Sequence, residues 1–164
     1  MLDNLCDRLG ELTIEYVKNE SMSRYTTFKI GGNADVLVKI KSNEQLRQVL
    51  SLAKQFDTPY FILGKGSNLL VSDKGIEGIV IKLDGLDYIE INGNSVVCGA
   101  GASLRALCIA VQKASLTGLE FAYGIPGAVG GALYMNAGAY GGEMKDVVVR
   151  VNHIDKKGNS GSFS

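Results

Sequence analysis

Residues 34–68 read ADVLVKIKSNEQLRQVLSLAKQFDTPYFILGKGSN. Ala34 to Ile40 alternates in the period-2 manner of a strand. Ser42 and Gln45 then stand at capping-box spacing, and Leu46, Val49, Leu50, Ala53 and Phe56 share one helical face. Thr58-Pro59 breaks that helix, and Tyr60 to Leu63 is a short apolar strand. The reading is a β-α-β unit over 34–63. Its second strand runs directly into Gly64-Lys65-Gly66-Ser67-Asn68, and Leu69-Leu70-Val71 beyond carries no helical period. The loop is therefore neither a Walker A loop, whose spacing is missing, nor a dinucleotide fingerprint, which needs a third glycine and a helix.

On the N-terminal side, Leu2, Leu5, Leu9 and Leu12 recur at helical spacing after a capping Asp3, which predicts an amphipathic helix over 3–18. On the C-terminal side, Ile79 to Leu83 reads as a strand. Tyr88 to Ile91 and Ser95 to Cys98 flank Asn92-Gly93 as a hairpin. Ser103 opens a helix with Leu104, Leu107, Cys108 and Val111 on one face, ending near Gly118. Val147 to Ile154 reads as a strand, with a turn at 155–158. Residues 159–164 carry no terminating element and read as a cut end. No fixed-period repeat is visible. The pattern predicts two small α/β lobes: an N-terminal helix within 1–21, a first lobe over 22–84 and a second over 85–164, divided near Asp84-Gly85.

The chain has 164 residues, 46% of them hydrophobic, which suits one domain or two small lobes and excludes a wholly disordered chain. Its 17 basic and 17 acidic side chains cancel, which argues against nucleic acid as a partner. Three cysteines without metal-type spacing and one histidine build no zinc site, so no metal is expected. The start lacks a basic and an apolar region, which gives a cytoplasmic reading. Glycine, at 21 residues, is roughly twice its usual share, while proline numbers only 2. These glycines are not linker; they mark tight turns or backbone that something must approach closely.

Two segments carry the chemistry. Gly64 to Asn68 can turn several backbone N–H groups inward and bind anionic oxygen without a basic cluster, a phosphate or pyrophosphate being the natural guest. An ordinary glycine turn between strands is the competing reading, and Lys65 by itself reads as solvated. The second segment is residues 118–142, GLEFAYGIPGAVGGALYMNAGAYGG, with eight glycines, three tyrosines and one charge, Glu120. It is too glycine-rich for a good helix and too uncharged to lie in solvent, so it is expected to be buried against a large, flat, partly polar ligand. Gly124-Ile125-Pro126-Gly127 reads as a tight turn, with the N–H groups of Ala128 to Gly131 as a second anion nest. A ligand-free glycine core is the alternative. A membrane span is disfavoured by the glycine dilution and the missing basic flank. His153 reads as a surface or edge residue, and Cys98 and Cys108 as core. No pair of carboxylates shows an acid/base arrangement.

Three blocks carry a family likeness: Tyr25-Thr26-Thr27-Phe28-Lys29-Ile30-Gly31-Gly32, then Leu63 to Leu70, then Gly118-Leu119-Glu120 through Gly124-Ile125-Pro126-Gly127 to Asn136-Ala137-Gly138-Ala139-Tyr140-Gly141. Together they resemble the FAD-binding, N-terminal part of the UDP-N-acetylenolpyruvoylglucosamine reductase (UDP-N-acetylmuramate dehydrogenase) family. The resemblance implies an α+β fold of the PCMH or vanillyl-alcohol-oxidase type. It implies FAD as cofactor, NADPH as reductant and hydride transfer to the enolpyruvyl group of a UDP-sugar in peptidoglycan precursor synthesis. Carried over by position, Gly64, Gly66, Ser67 and Asn68 would cradle the FAD pyrophosphate, with Lys65 and Leu69 beside them as cofactor-binding residues. Gly124, Ile125, Pro126, Gly127, Gly130 and Gly131 would approach the cofactor, and Asn136, Gly138, Ala139 and Tyr140 would line the flavin cleft. The family's catalytic arginine follows a tyrosine, and here no tyrosine precedes arginine. Its serine motif belongs to a later substrate domain and its glutamate lies near the end of the full-length chain, and Gly161-Ser162-Phe163, directly after the turn, reads as coincidence. The expectation is a chain that binds FAD, has no catalytic residues of its own and is inactive alone. A non-catalytic nucleotide- or phosphate-binding module is the alternative.

Overall fold

The first helix ends sooner than its leucines predict. In the computed structural model, which describes residues 2–164, α1 spans Leu2–Glu11 and buries Leu5, Cys6 and Leu9. Ile14 N–H closes onto the Leu9 carbonyl, and Thr13 turns the chain at φ 55°. Residues 15–18, expected to be helical, instead open strand β1 (Glu15–Ser21), which pairs antiparallel with β2 (Asn33–Lys39). Pairing against a buried strand outweighs the local helical period there.

Helix α2 (Asn43–Gln55) starts where the capping pattern places it, with Ser42 Oγ accepting from Gln45 N–H at 3.2 Å. Gln45 Oε1 accepts from Lys41 N–H at 2.7 Å, one residue before the cap. Ser42→Ala is expected to cost about 1 kcal/mol in a urea unfolding titration, the usual scale of a lost cap.

Strands β3 (Tyr60–Leu63) and β4 (Ile76–Lys82) complete a sheet of order β1-β2-β4-β3. The β-α-β unit over 34–63 is present, its two strands parallel in one sheet, with a third strand inserted between them. That strand, β4, is parallel to each. The run Ile79-Val80-Ile81 is fully buried, the signature of a central parallel strand with both faces covered. Val36, Val38, Ile79 and Ile81 pack under α1 and α2. On the opposite face, Leu37, Leu63 and Val80 pack with Met22 and Val71, and Leu69 joins them, so the segment after β3 folds back across the sheet.

The rest of the chain gathers a second core around Leu104, Leu107, Cys108, Val111, Phe121 and Met144. Strands β5 (Ile89–Asn92) and β6 (Ser95–Cys98) form the expected hairpin, but its two-residue loop is Gly93-Asn94, with Gly93 at φ +59°. Helix α3 (Leu104–Lys113) buries the predicted face and stops at Lys113. Residues 118–142 depart from expectation. They include a six-residue helix, α4 (Val129–Tyr134), and a small hairpin of β7 (Gly138–Ala139) and β8 (Gly142–Glu143). They are not uniformly buried either: Tyr134 is 89% and Tyr140 96% exposed.

Strand β9 (Val151–Ile154) is shorter than predicted because the N–H groups of Val147 and Val148 close a turn onto the Met144 carbonyl. Residues 160–163, expected to carry no element, form strand β10 (Ser160–Phe163), antiparallel to β9. Asp155 organises their turn by accepting from the N–H groups of Lys157 and Asn159, bonds that hold its carboxyl below the usual range. Arg47 of α2 clasps this turn through Gly158 O and Ser160 Oγ, so the hairpin docks on α2. His153 stacks on Phe163 with ring centroids 4.4 Å apart. Among the described residues no helix is long and apolar enough to cross a membrane.

Candidate functional site

The two glycine segments meet. A methyl group built on Gly64 would lie 3.8 Å from Ala128 Cβ, and one on Gly127 would lie 3.9 Å from Ser67 Oγ. The end of β3 and the entry to α4 therefore share one surface. The segments are about sixty positions apart in sequence, and one cofactor held by both requires them to be neighbours, as they are.

The glycines of this surface fall into two kinds. Gly66 stands at φ +67°, and a Cβ there would come within 1.8 Å of the Tyr25 carbonyl oxygen; Gly130 would press on Ala100 at 2.9 Å. Packing explains both. Gly124 and Gly131 have nothing within 4 Å of the added carbon, while Gly64 and Gly127 meet only ordinary contacts. None of these four has a positive φ. The protein's own packing would accept alanine at each, so their bareness leaves room for something outside the chain.

The main-chain donors have the same division. Among the described residues, the N–H groups of Lys65, Gly66, Ser67 and Asn68 meet no backbone or side-chain acceptor. Four consecutive unengaged donors suit an anion's oxygens. The second nest is smaller than expected. Val129 N–H bonds Ala102 O and Gly130 N–H bonds Ala100 O, each at 2.8 Å, leaving those of Ala128 and Gly131.

Beneath the first loop lies a charged group that the sequence did not single out. Lys82, the last residue of β4, pairs with Leu63 and is 6% exposed. Its Nζ lies 3.1 Å from Asp84 Oδ2, 3.4 Å from the Gly64 carbonyl oxygen and 5.1 Å from the Tyr25 ring centroid. Lys65 reaches the other oxygen of Asp84 at 3.5 Å. Burial, then the hydrogen bond to Glu20, pushes the Tyr25 phenol above its ordinary value. A lysine ending an apolar strand looks like a solvated strand end, and only the sheet order shows that it is enclosed.

The remaining predicted residues are placed as follows. Leu69 packs beneath the loop in the sheet's second-face core. Ile125 N–H closes a turn onto Ala122 O, and Pro126 is exposed. Asn136 (φ 44°) spends its amide within the chain: Nδ2 donates to Glu143 at 2.5 Å and Oδ1 accepts from Lys145 N–H at 2.9 Å. Gly138 and Ala139 are β7 itself. Tyr140 and Gly141, at φ 53° and 86°, make the β7–β8 turn, and with Gly118, Glu120, Phe121 and Gly142 they line a shallow concavity. Among the described residues no cluster of ligating side chains suits a metal ion. Burial raises the Cys98 and Cys108 thiols; Cys108 lies in the second core, while Cys98, expected there too, is half-buried against it.

The chain is similar to known proteins over nearly its whole length. The reductase UDP-N-acetylenolpyruvoylglucosamine reductase from Caldanaerobacter subterraneus subsp. tengcongensis is 48% identical over 97% of this chain and 53% of its own length. The protein of the same name from Clostridioides difficile is 50% identical over 92% and 50%. The chain thus spans about half the length of the curated relatives it matches. Among solved structures, the Thermus caldophilus UDP-N-acetylenolpyruvylglucosamine reductase superposes with a TM-score of 0.72 at 35% identity, covering 92% of this chain and 52% of that one. A cholesterol oxidase from B. sterolicum superposes at 0.71 with 17% identity over 92% and 33%, a likeness of fold alone. The fold is the α+β, PCMH-type flavoenzyme domain that the family resemblance implies. The family described as FAD binding domain matches residues 34–161, more than three quarters of the chain. With its cofactor identified as FAD by that match, the chain belongs to the FAD binding domain family.

Proposed function

We propose that this chain is the FAD-binding half of a reductase that converts UDP-N-acetylglucosamine enolpyruvate to UDP-N-acetylmuramate. The observation that carries the reading is the junction of Gly64–Asn68 with Gly124–Gly131, where four unengaged N–H groups adjoin four glycines that packing does not require. The N–H groups of Lys65 to Asn68 receive the diphosphate, with the Ser67 hydroxyl at the seam. Gly124, Gly127 and Gly131 let the flat part of the cofactor approach the main chain, and the exposed Tyr140 borders the cleft. When bound, FAD supplies a hydride carrier that NADPH reduces and the enolpyruvyl group oxidises. A cytoplasmic place in cell-wall precursor synthesis goes with that substrate. The residues of this chain supply the cofactor site; the arginine, serine and glutamate motifs implied by the resemblance are not among them.

Purified chain is expected to melt higher with FAD. At a hundredfold excess over Kd the gain is about 2.7 kcal/mol, or roughly 5–10 °C for a domain of this size. Differential scanning fluorimetry with FAD, ADP and UDP-N-acetylglucosamine reads it. An equal shift with ADP favours the plain nucleotide-binding module, and no shift with any of them removes the reading.

A further inference from the structure

We propose that Lys82 is the positioning residue that gives the 64–68 loop its affinity for a diphosphate. The inference rests on the reading of that loop as an anion cradle, and adds to it a source of charge and a reason for its shape. A lysine is almost never this enclosed unless something pairs it. Here the pairing is incomplete: Lys65 and Lys82 share the single carboxylate of Asp84, which leaves one net positive charge under the donors of Lys65 to Asn68. Asp84 is 42% exposed, so water screens its share, while Lys82 is screened far less.

The geometry also gives Lys82 a mechanical part. Its ammonium holds the Gly64 carbonyl from below. A peptide whose carbonyl points down into the sheet points the following N–H, that of Lys65, the other way. The same ammonium lies over the Tyr25 ring, and Tyr25 presents its own carbonyl to Gly66. One buried cation thus fixes both ends of the turn that exposes the donors. A charge kept in a core for stability alone is a poor arrangement, since a well-packed apolar residue usually serves as well or better. A charge kept there for an anion is not.

Three variants of the full chain test this: Lys82→Met, Lys82→Arg and Asp84→Asn. Each is titrated calorimetrically with FAD, inorganic pyrophosphate and riboflavin, after its ligand-free melting temperature is recorded. Lys82→Met is expected to bind FAD and pyrophosphate about tenfold more weakly or worse, the scale of a charged hydrogen bond. Riboflavin, which lacks phosphate, should be unchanged. Lys82→Arg should recover most of the loss. Asp84→Asn, at a half-exposed position, should bind both anions several-fold more tightly. A merely structural lysine would move the melting temperature and all three ligands together. Unaltered anion affinity in Lys82→Met, or weaker anion binding in Asp84→Asn, overturns the proposal. Pyrophosphate binding that depends on Lys82 in a chain that ignores FAD would uphold it while removing the flavin reading. Normal FAD binding in Lys82→Met would do the reverse.

Discussion

Gly64→Ala is expected to leave the fold intact and to lose most of the FAD affinity. The added methyl meets only Ala128 Cβ, at 3.8 Å, and the position has no positive φ. At such sites alanine commonly stabilises by about 0.4–1 kcal/mol, because it removes freedom from the unfolded chain. The same methyl projects toward the seam between the two segments, where the diphosphate has to approach the backbone. Displacing that group from N–H donors costs at least about tenfold in affinity. The measurement is a pair: a urea titration of ligand-free protein and a fluorescence titration with FAD. Equal or greater stability with much weaker binding is the expected result. Wild-type affinity in the variant would show that nothing comes near Gly64. Gly131→Ala probes the second segment by the same logic, since no atom lies within 4 Å of its added carbon.

How much of this was legible in the sequence depends on distance along the chain. Ser42 and Ser103 cap the helices they were expected to cap, and Leu104, Leu107, Cys108 and Val111 are the buried face of α3. Capping and helical period are local, so a single sequence displays them. Glu15 to Lys18 follows a leucine-rich helical period, but its partner, β2, lies beyond a turn, where no local pattern shows it. The place of β4 between β2 and β3 was equally invisible, since strand order is decided by contacts among segments, and Lys82 was hidden with it. The glycine-rich segment yielded the opposite lesson. Its composition announced a backbone surface but could not separate Gly130, which is there for Ala100, from Gly131, which is there for nothing in the chain. Only neighbours in space make that separation. The seam between Ser67 and Gly127 is expected of two segments that hold one cofactor; its atomic contacts come only from the structure.

Gly66→Ala, two positions from Gly64, is expected to do the reverse and unfold the protein readily. Its φ of +67° costs a side chain about 1–2 kcal/mol. The methyl would also stand 1.8 Å from the Tyr25 carbonyl oxygen and 3.2 Å from Thr26 Cα. That oxygen belongs to backbone that cannot retreat freely. Tyr25 N–H is bonded to Met22 O, Met22 is fully buried under the sheet, and Thr27 N–H is bonded to Gly66 O itself. Overpacking of this kind adds about 1–3 kcal/mol, so the total is about 3 kcal/mol, a large part of a domain's usual stability. Urea unfolding should show the midpoint fall, and the melting temperature should drop by roughly 6–12 °C. Gly66→Asn separates the two causes, because asparagine tolerates the left-handed region yet carries the same clashing Cβ. If Gly66→Asn is nearly as damaging as alanine, the close approach to Tyr25 dominates. If it is nearly neutral, the dihedral alone requires glycine and the contact with Tyr25 yields. Either result bears on the cofactor, since this contact holds the loop in the shape that leaves its N–H groups without partners.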